Sequence, residues 1–177
     1  MPRDLDFTWA QLEGSDLVLM AFLLIIAVVP IVNAARNRDS IALGVVLSII
    51  LVHFAQFFLS SFEGAFNFYP VDIFSVIPIL AEDPLHQHRI VTSAWLHADF
   101  IHVLGNALVI ALAGVPLEQR MGGKRWIAIY LIGLTGGNLA WILTHQNSAV
   151  PAIGASGAAF GILGAYMACW PEDKIEF

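Results

Sequence analysis

Residues 100–117 read Phe-Ile-His-Val-Leu-Gly-Asn-Ala-Leu-Val-Ile-Ala-Leu-Ala-Gly-Val-Pro-Leu. The run is long enough to cross the hydrocarbon core of a bilayer, which takes about 20 mostly apolar residues, with a range of about 17–25. It contains no Asp, Glu, Lys or Arg, yet His102 and Asn106 interrupt it. The stretch therefore predicts a membrane-spanning helix that carries two polar side chains.

The composition of the whole chain agrees with this prediction. Of its 177 residues, 58% are hydrophobic and 12% are charged, whereas a soluble domain has about 45–50% and about 25% respectively. This balance excludes a disordered tail and an ordinary cytosolic enzyme. The net charge of −6 leaves no clustered basic surface for a nucleic acid. Cys169 is the single cysteine, so no internal disulfide can form.

We expect an all-α fold, a polytopic bundle of transmembrane helices. Each predicted span is bounded by charged residues, proline or a polar cluster. The five predicted spans cover residues 17–33, 41–60, 100–117, 126–144 and 154–170. No repeat or composition shift divides the chain, so residues 1–177 are predicted to form one membrane domain.

The distribution of Lys and Arg predicts the orientation of the bundle, since cytoplasmic loops carry an excess of basic residues. The loops after the first and third spans contain most of them: Arg36, Arg38, Arg120, Lys124 and Arg125. The N-terminus is then outside and the C-terminus of this chain inside. We expect a multi-pass protein surrounded by lipid in the plasma membrane of a prokaryote.

The connection between the second and third spans covers residues 61–98, which is far longer than the usual helix–helix link of about 2–8 residues. Its middle, residues 71–81, is apolar but too short to cross a membrane, and Pro78 interrupts it. We expect this segment to lie at the membrane interface or to dip partly into the lipid.

Polar side chains inside spans are costly and therefore indicate function. His102 and Asn106 are four residues apart, so they share one helix face. Ser156 opens the fifth span between Gly154 and Gly157. Both spans enter from outside, which brings a hydroxyl, an imidazole and an amide to a similar depth. A serine hydroxyl can be an acyl-transfer nucleophile if a base takes its proton, and imidazole and amide N–H groups can stabilise an oxyanion.

Structural roles are open for the same residues. A serine in a membrane helix usually hydrogen-bonds its own backbone, and His102 and Asn106 could join helices. The glycines around Ser156 could serve only close helix packing. His97 and Asp99 at the membrane edge are expected to be solvated or to cap a helix. The six histidines lack a paired carboxylate cluster, so neither a metal site nor another cofactor is expected.

Three motifs together resemble the rhomboid intramembrane serine proteases, over about residues 89–173. They are His97-Ala-Asp-Phe-Ile-His102-Val-Leu-Gly-Asn106, Leu117-Glu118-Gln-Arg-Met-Gly122 and Gly154-Ala-Ser156-Gly157. The resemblance implies an endopeptidase that cleaves transmembrane segments of membrane-protein substrates. It implies Ser156 as the nucleophile, His102 and Asn106 at the oxyanion site, and Glu118 in a structural hydrogen bond.

The resemblance also implies two further core helices and a general-base histidine, which the predicted spans do not include. Rhomboids have six core helices, and their general-base histidine lies on the sixth. Spans two to five would be the first four core helices, with span one as an extra N-terminal helix. We expect the chain to be truncated before the last two core helices, and to be inactive alone. His145 is the only stand-in for the base by location, while His53 is expected to be a buried hydrogen-bonding group.

Two other functions remain as alternatives. A non-catalytic rhomboid-like protein would use the same fold to bind client transmembrane helices. A small transporter is disfavoured, because its polar residues should lie near the midplane of several spans, whereas here they gather at the outer end.

Overall fold

The computed structural model describes residues 14–60 and 70–173. The ends of the predicted domain and the first part of the long connection lie outside these residues. Within the described residues the chain is helical and contains no β-strand, which confirms the all-α bundle. The five principal helices are α1 (Gly14–Asn37), α2 (Ile41–Ser60), α3 (Phe100–Met121), α4 (Gly123–Thr144) and α5 (Ser156–Cys169).

Helices α1 to α4 are each long and apolar enough to cross a membrane. The fifth predicted span, 154–170, is too long at both ends, because α5 has only 14 residues. Gly154 has a φ of +113° and Trp170 a φ of −137°, so neither continues the helix. At 1.5 Å per residue α5 measures about 21 Å, which is less than the hydrocarbon thickness of about 30 Å.

Helix α3 continues past the predicted end at residue 117. Residues Ile110–Gly114 form a π-helical turn, and Pro116 follows it directly. Proline lacks an N–H group and its ring crowds the preceding turn, and a wider π turn accommodates such an interruption without ending the helix. Gly122, with a φ of +82°, then reverses the chain into α4.

The main core lies between α2, α3, α4 and α5. Its fully buried side chains include Ile49, Leu117, Trp126, Leu134 and Ile162. In a lipid environment, close packing has to supply most of the association between helices.

Small residues bring α4 and α5 into backbone contact. A Cβ atom placed on Gly133 would lie 2.7 Å from the carbonyl oxygen of Gly157 and 3.0 Å from the Cα of Gly161. Close helix packing, one of the two roles left open for the glycines around Ser156, is observed at Gly157 and also at Gly161. Gly164, by contrast, meets no atom within 4 Å.

Helix α1 packs on α2 through a buried hydroxyl. The Ser48 Oγ donates to the carbonyl oxygen of Ala27 at 2.5 Å and accepts from the indole Nε1 of Trp95 at 2.6 Å. The extra helix is thus tied to the segment that leads into α3.

The long connection packs against the bundle as a series of short turns. Its elements are a helix at Pro70–Phe74, 3₁₀ turns at Pro78–Leu80 and Pro84–His86, a helix at Arg89–Thr92 and a 3₁₀ turn at Ser93–Trp95. The apolar side chains of Ile73, Phe74, Val76 and Ile77 are buried in the protein. The depth of this segment in the membrane stays a prediction.

Glu118 joins the end of α3 to the start of α2. Its carboxylate accepts from the Ser40 Oγ at 2.7 Å and from the backbone N–H groups of Ile41 and Ala42, both at 2.9 Å. These N–H groups belong to the first turn of a helix, where no intrahelical acceptor exists. The structural hydrogen bond that the resemblance implies for Glu118 is confirmed, in the form of a cap on α2.

Replacing Glu118 with Ala should lower the free energy of unfolding by about 3 kcal/mol, because two helix N–H groups and a hydroxyl lose a charged acceptor. Denaturant titration in detergent micelles measures this change. Gln119→Ala, at the exposed neighbouring residue, is the matched control and should change stability little. Equal stability of the two variants would show that the cap contributes nothing.

Candidate active site

The predicted site lies at the upper end of the bundle, defined here as the end where α3 and α5 begin. Two backbone contacts bring the segment before α5 to this end. Val76 and Ala152 form an isolated antiparallel bridge, with N–H···O distances of 3.0 and 2.7 Å. The Gly154 N–H donates to the carbonyl oxygen of Ser93 at 2.9 Å. The long connection thereby holds the approach to Ser156.

The start of α3 is set by Asp99. Its carboxylate accepts from the backbone N–H of His102 at 2.8 Å, and its own backbone is extended, as at an N-cap. The capping role expected for Asp99 is confirmed. Because the helix begins at Phe100, the side chains of His102 and Asn106 lie one turn apart on the same face.

Gly154 brings the α5 approach onto that face. A Cβ atom at residue 154 would lie 2.7 Å from both Cε1 and Nε2 of the His102 imidazole, and 3.4 Å from the Asn106 Nδ2. The φ of +113° is also a conformation that side chains with a Cβ rarely adopt. Only glycine allows this contact between the backbone and the two polar side chains.

Ser156 is the first residue of α5 and is half-buried. Other hydroxyls bond to their own helix: Ser60 to the carbonyl of Phe57 at 2.8 Å, and Thr135 to that of Leu131 at 2.7 Å. Ser156 has no helical turn before it that could supply such a carbonyl. Within residues 14–60 and 70–173 its hydroxyl makes no hydrogen bond, so it is available to another group.

The backbone around Ser156 is a source of donors. The first N–H groups of a helix have no intrahelical acceptor, and the helix dipole makes this end positive. The first carbonyl that accepts a helical hydrogen bond in α5 is that of Ala155. The N–H of Ala159 donates to it at 2.9 Å. The N–H groups nearest Ser156 therefore point out of the start of α5 and favour negative charge there.

His97 is fully buried, with 0% of its surface exposed. The expectation that it is solvated or caps a helix is wrong, because the α5 approach and α2 cover it. Its Nε2 lies 3.0 Å from the Asn106 Nδ2, and its ring centroid lies 5.0 Å from that of His102 in an edge-on arrangement. The sequence contains no signal for this role beyond the position of His97 nine residues before Asn106.

The other histidines are not joined to Ser156. His53 is buried, as expected, yet its Nδ1 has no hydrogen-bond partner in the described part of the chain. The His145 ring stacks on Trp141 with 3.7 Å between centroids, and its Nδ1 lies 2.8 Å from the Thr144 Oγ1. The contacts of His145 thus lie at the end of α4. Across residues 14–60 and 70–173, no group of three His, Cys, Asp or Glu residues is arranged to hold a metal ion.

Known relatives match the part of the chain that holds this site. RHOMBOID-like protein 5 of Arabidopsis thaliana is 39% identical over 79 residues, covering 45% of this chain and 26% of that protein. "Putative rhomboid protease YdcA" of Bacillus subtilis is 37% identical over 79 residues, covering 45% of this chain and 39% of that protein. Inactive RHOMBOID-like protein 8 of Arabidopsis thaliana is 34% identical over 85 residues, covering 48% and 24% respectively.

The chain spans about a quarter of the length of the plant relatives it matches. No solved structure matches it significantly. The sequence model of the Rhomboid domain matches residues 84–177, which is more than half of the chain. These residues contain α3, α4, α5 and the polar groups at their upper end, and the chain belongs to the rhomboid family.

Proposed function

We propose that the intact protein is an intramembrane serine endopeptidase that cleaves transmembrane segments of membrane-protein substrates. The observation that carries the proposal is the contact of the Gly154 backbone with His102 and Asn106. It brings the segment two residues before Ser156 onto the only face of α3 that presents an imidazole and an amide. The name of the Bacillus subtilis relative, "Putative rhomboid protease YdcA", supports the same activity.

The proposed reaction is acyl transfer through Ser156. Its Oγ attacks the carbonyl carbon of the scissile peptide bond, and the carbonyl oxygen becomes an oxyanion. Side-chain N–H groups of His102 and Asn106, with the backbone N–H groups at the start of α5, stabilise that charge. The C–N bond then breaks, the amine leaves with a proton, and water hydrolyses the acyl-enzyme to restore Ser156.

The proton of Ser156 needs an acceptor that the described residues do not supply. Rhomboids carry this general base as a histidine on the sixth core helix, and we assign it to such a histidine here. It takes the proton from Ser156 and then delivers it to the leaving amine. The 177-residue chain alone should therefore be inactive, since a serine nucleophile without its base loses several orders of magnitude in rate.

We further propose that the site faces the outside of a prokaryotic plasma membrane, with the N-terminus outside and the C-terminus of this chain inside. The basic residues of α1, α3 and α4 support this placement, because they lie at the end of the bundle opposite the site, whereas Arg89 belongs to the long connection at the end of the site. Arg36 is in the last turn of α1, Arg120 in the last turn of α3, and Lys124 in the first turn of α4. Cytoplasmic ends of membrane helices are enriched in such residues.

A second candidate function is binding without cleavage, because one relative, 34% identical, is named an inactive RHOMBOID-like protein. In that case the bundle binds client transmembrane helices without cleaving them. Ser156 would then have no chemical role, and its replacement would leave client binding unchanged.

Ser156→Ala in the full-length protein, expressed from its own gene, should reduce kcat by at least about a thousandfold, because the attacking oxygen is removed. Release of fluorophore from a reporter peptide with a single transmembrane segment measures the rate. Ser60→Ala is the matched control, since that exposed hydroxyl bonds its own helix. Cleavage that persists unchanged in Ser156→Ala would overturn the proposed mechanism.

Asn106→Ala should lower kcat about a hundredfold while KM stays within about twofold, because an oxyanion donor acts mainly in the transition state. The same reporter assay separates the two constants. Asn37→Ala, an exposed amide at the opposite end of the bundle, should leave both constants unchanged. An equal loss in the two variants would remove Asn106 from the oxyanion site.

A further inference from the structure

His97 is held in place by an amide side chain from another helix. The Gln56 Nε2 donates to the carbonyl oxygen of His97 at 3.1 Å, and the N–H of His97 donates to the Gln56 Oε1 at 3.3 Å. One side chain thus satisfies both backbone groups of a single residue, as a neighbouring strand would. Since the segment around residue 97 has no helix of its own, α2 sets its position through Gln56.

The contacts of the His97 ring determine which of its nitrogens accepts. The Asn106 Nδ2 lies 3.0 Å from Nε2, and the backbone N–H of Ala155 also points to Nε2, at 3.5 Å. An amide nitrogen and a backbone N–H are donors only, so Nε2 has to be the acceptor. Nδ1 then carries the proton and faces the carbonyl oxygen of Trp95 at 3.4 Å.

This arrangement fixes the orientation of the Asn106 side chain. One of its two Nδ2 hydrogens is directed to His97, and Nδ2 lies 3.4 Å from the position of a Cβ on Gly154. The second hydrogen remains for a ligand on the side of the site. If the amide turned over, its oxygen would replace the donor, and an oxygen cannot stabilise an oxyanion.

We propose that His97, held by Gln56, is a positioning residue that orients the Asn106 amide and the backbone before Ser156 for oxyanion stabilisation. This inference rests on the proposed function and adds to it two residues that act through Asn106 rather than on the substrate. The same nitrogen accepts from α3 and from the α5 approach, so it joins the two halves of the site.

The surroundings of His97 keep it an acceptor at neutral pH. The pKa of His97 is lowered from 6.5 to about 4, first by burial and then by the His102 imidazole, with a smaller contribution from His53 on α2. The contact with Trp95 and the Asp99 carboxylate act in the opposite direction. A protonated ring would present N–H groups to two other donors, which the contact with Asn106 does not allow.

The first test uses the full-length protein and the reporter peptide. His97→Leu should lower kcat about tenfold to a hundredfold with KM within about twofold, since a misoriented oxyanion donor is lost mainly in the transition state. Gln56→Met should do the same more weakly. His97→Gln keeps an acceptor oxygen and should recover kcat at least in part. His145→Leu, which removes a half-buried imidazole whose contacts lie at the end of α4, is the matched control.

Two outcomes would overturn the inference while Ser156-dependent cleavage is intact. One is a His97→Leu enzyme with the kcat of the wild type. The other is an equal loss of kcat in His97→Leu and His97→Gln with unchanged thermal stability. That result would show that kcat does not depend on a hydrogen-bond acceptor at residue 97. Loss of the Ser156 dependence itself would instead count against the proposed function.

A second measurement does not depend on activity or on variants that fail to fold. ¹⁵N NMR of the wild-type protein, labelled at histidine, distinguishes a protonated from an unprotonated ring nitrogen. We expect one histidine, assigned by its loss in His97→Gln, to have protonated Nδ1 and unprotonated Nε2 at neutral pH. The reverse tautomer, or a doubly protonated ring, would overturn the inference even in an active enzyme.

Discussion

The contact between the Gly154 backbone and the His102 and Asn106 side chains is the constraint on which the site depends. A Cβ at residue 154 would stand 2.7 Å from the imidazole, so the approach to α5 can take this path only as glycine. The path determines where α5 begins, and hence that Ser156 is its first residue, with no preceding turn to occupy its hydroxyl. The short length of α5 follows from this start and from its end before Trp170, because neither Gly154, with a φ of +113°, nor Trp170, with a φ of −137°, is helical.

Polar groups inside this apolar protein need hydrogen-bond partners, because each buried group without one costs free energy. Glu118 caps the first turn of α2, Asp99 caps α3, and Gln56 pairs with the backbone of His97. Each of these side chains lies at a helix end or beside non-helical chain, where backbone groups lack partners. The bundle is therefore held in register by a few hydrogen bonds between segments, and the apolar faces fill the space between them.

Local patterns predicted much of this from sequence alone. The apolar runs identified all five helices, and the four-residue spacing placed His102 and Asn106 on one face. The caps by Asp99 and Glu118 agree with local signals and with the resemblance. The role of His97 could not be predicted, because it depends on Gln56, 41 residues away, and on Ala155, 58 residues away. The length of α5 was also missed, since hydropathy does not detect a left-handed glycine.

The most direct test of the central claim is chemical modification of the full-length protein in its native membrane. A fluorophosphonate probe loses fluoride when a serine oxygen activated for acyl transfer attacks its phosphorus. Mass spectrometry of the digested protein should find a single phosphonyl adduct on the peptide that contains Ser156, and none after denaturation. A folded protein that takes no adduct, or that takes it equally at exposed serines such as Ser15 and Ser60, would contradict a nucleophilic role for Ser156.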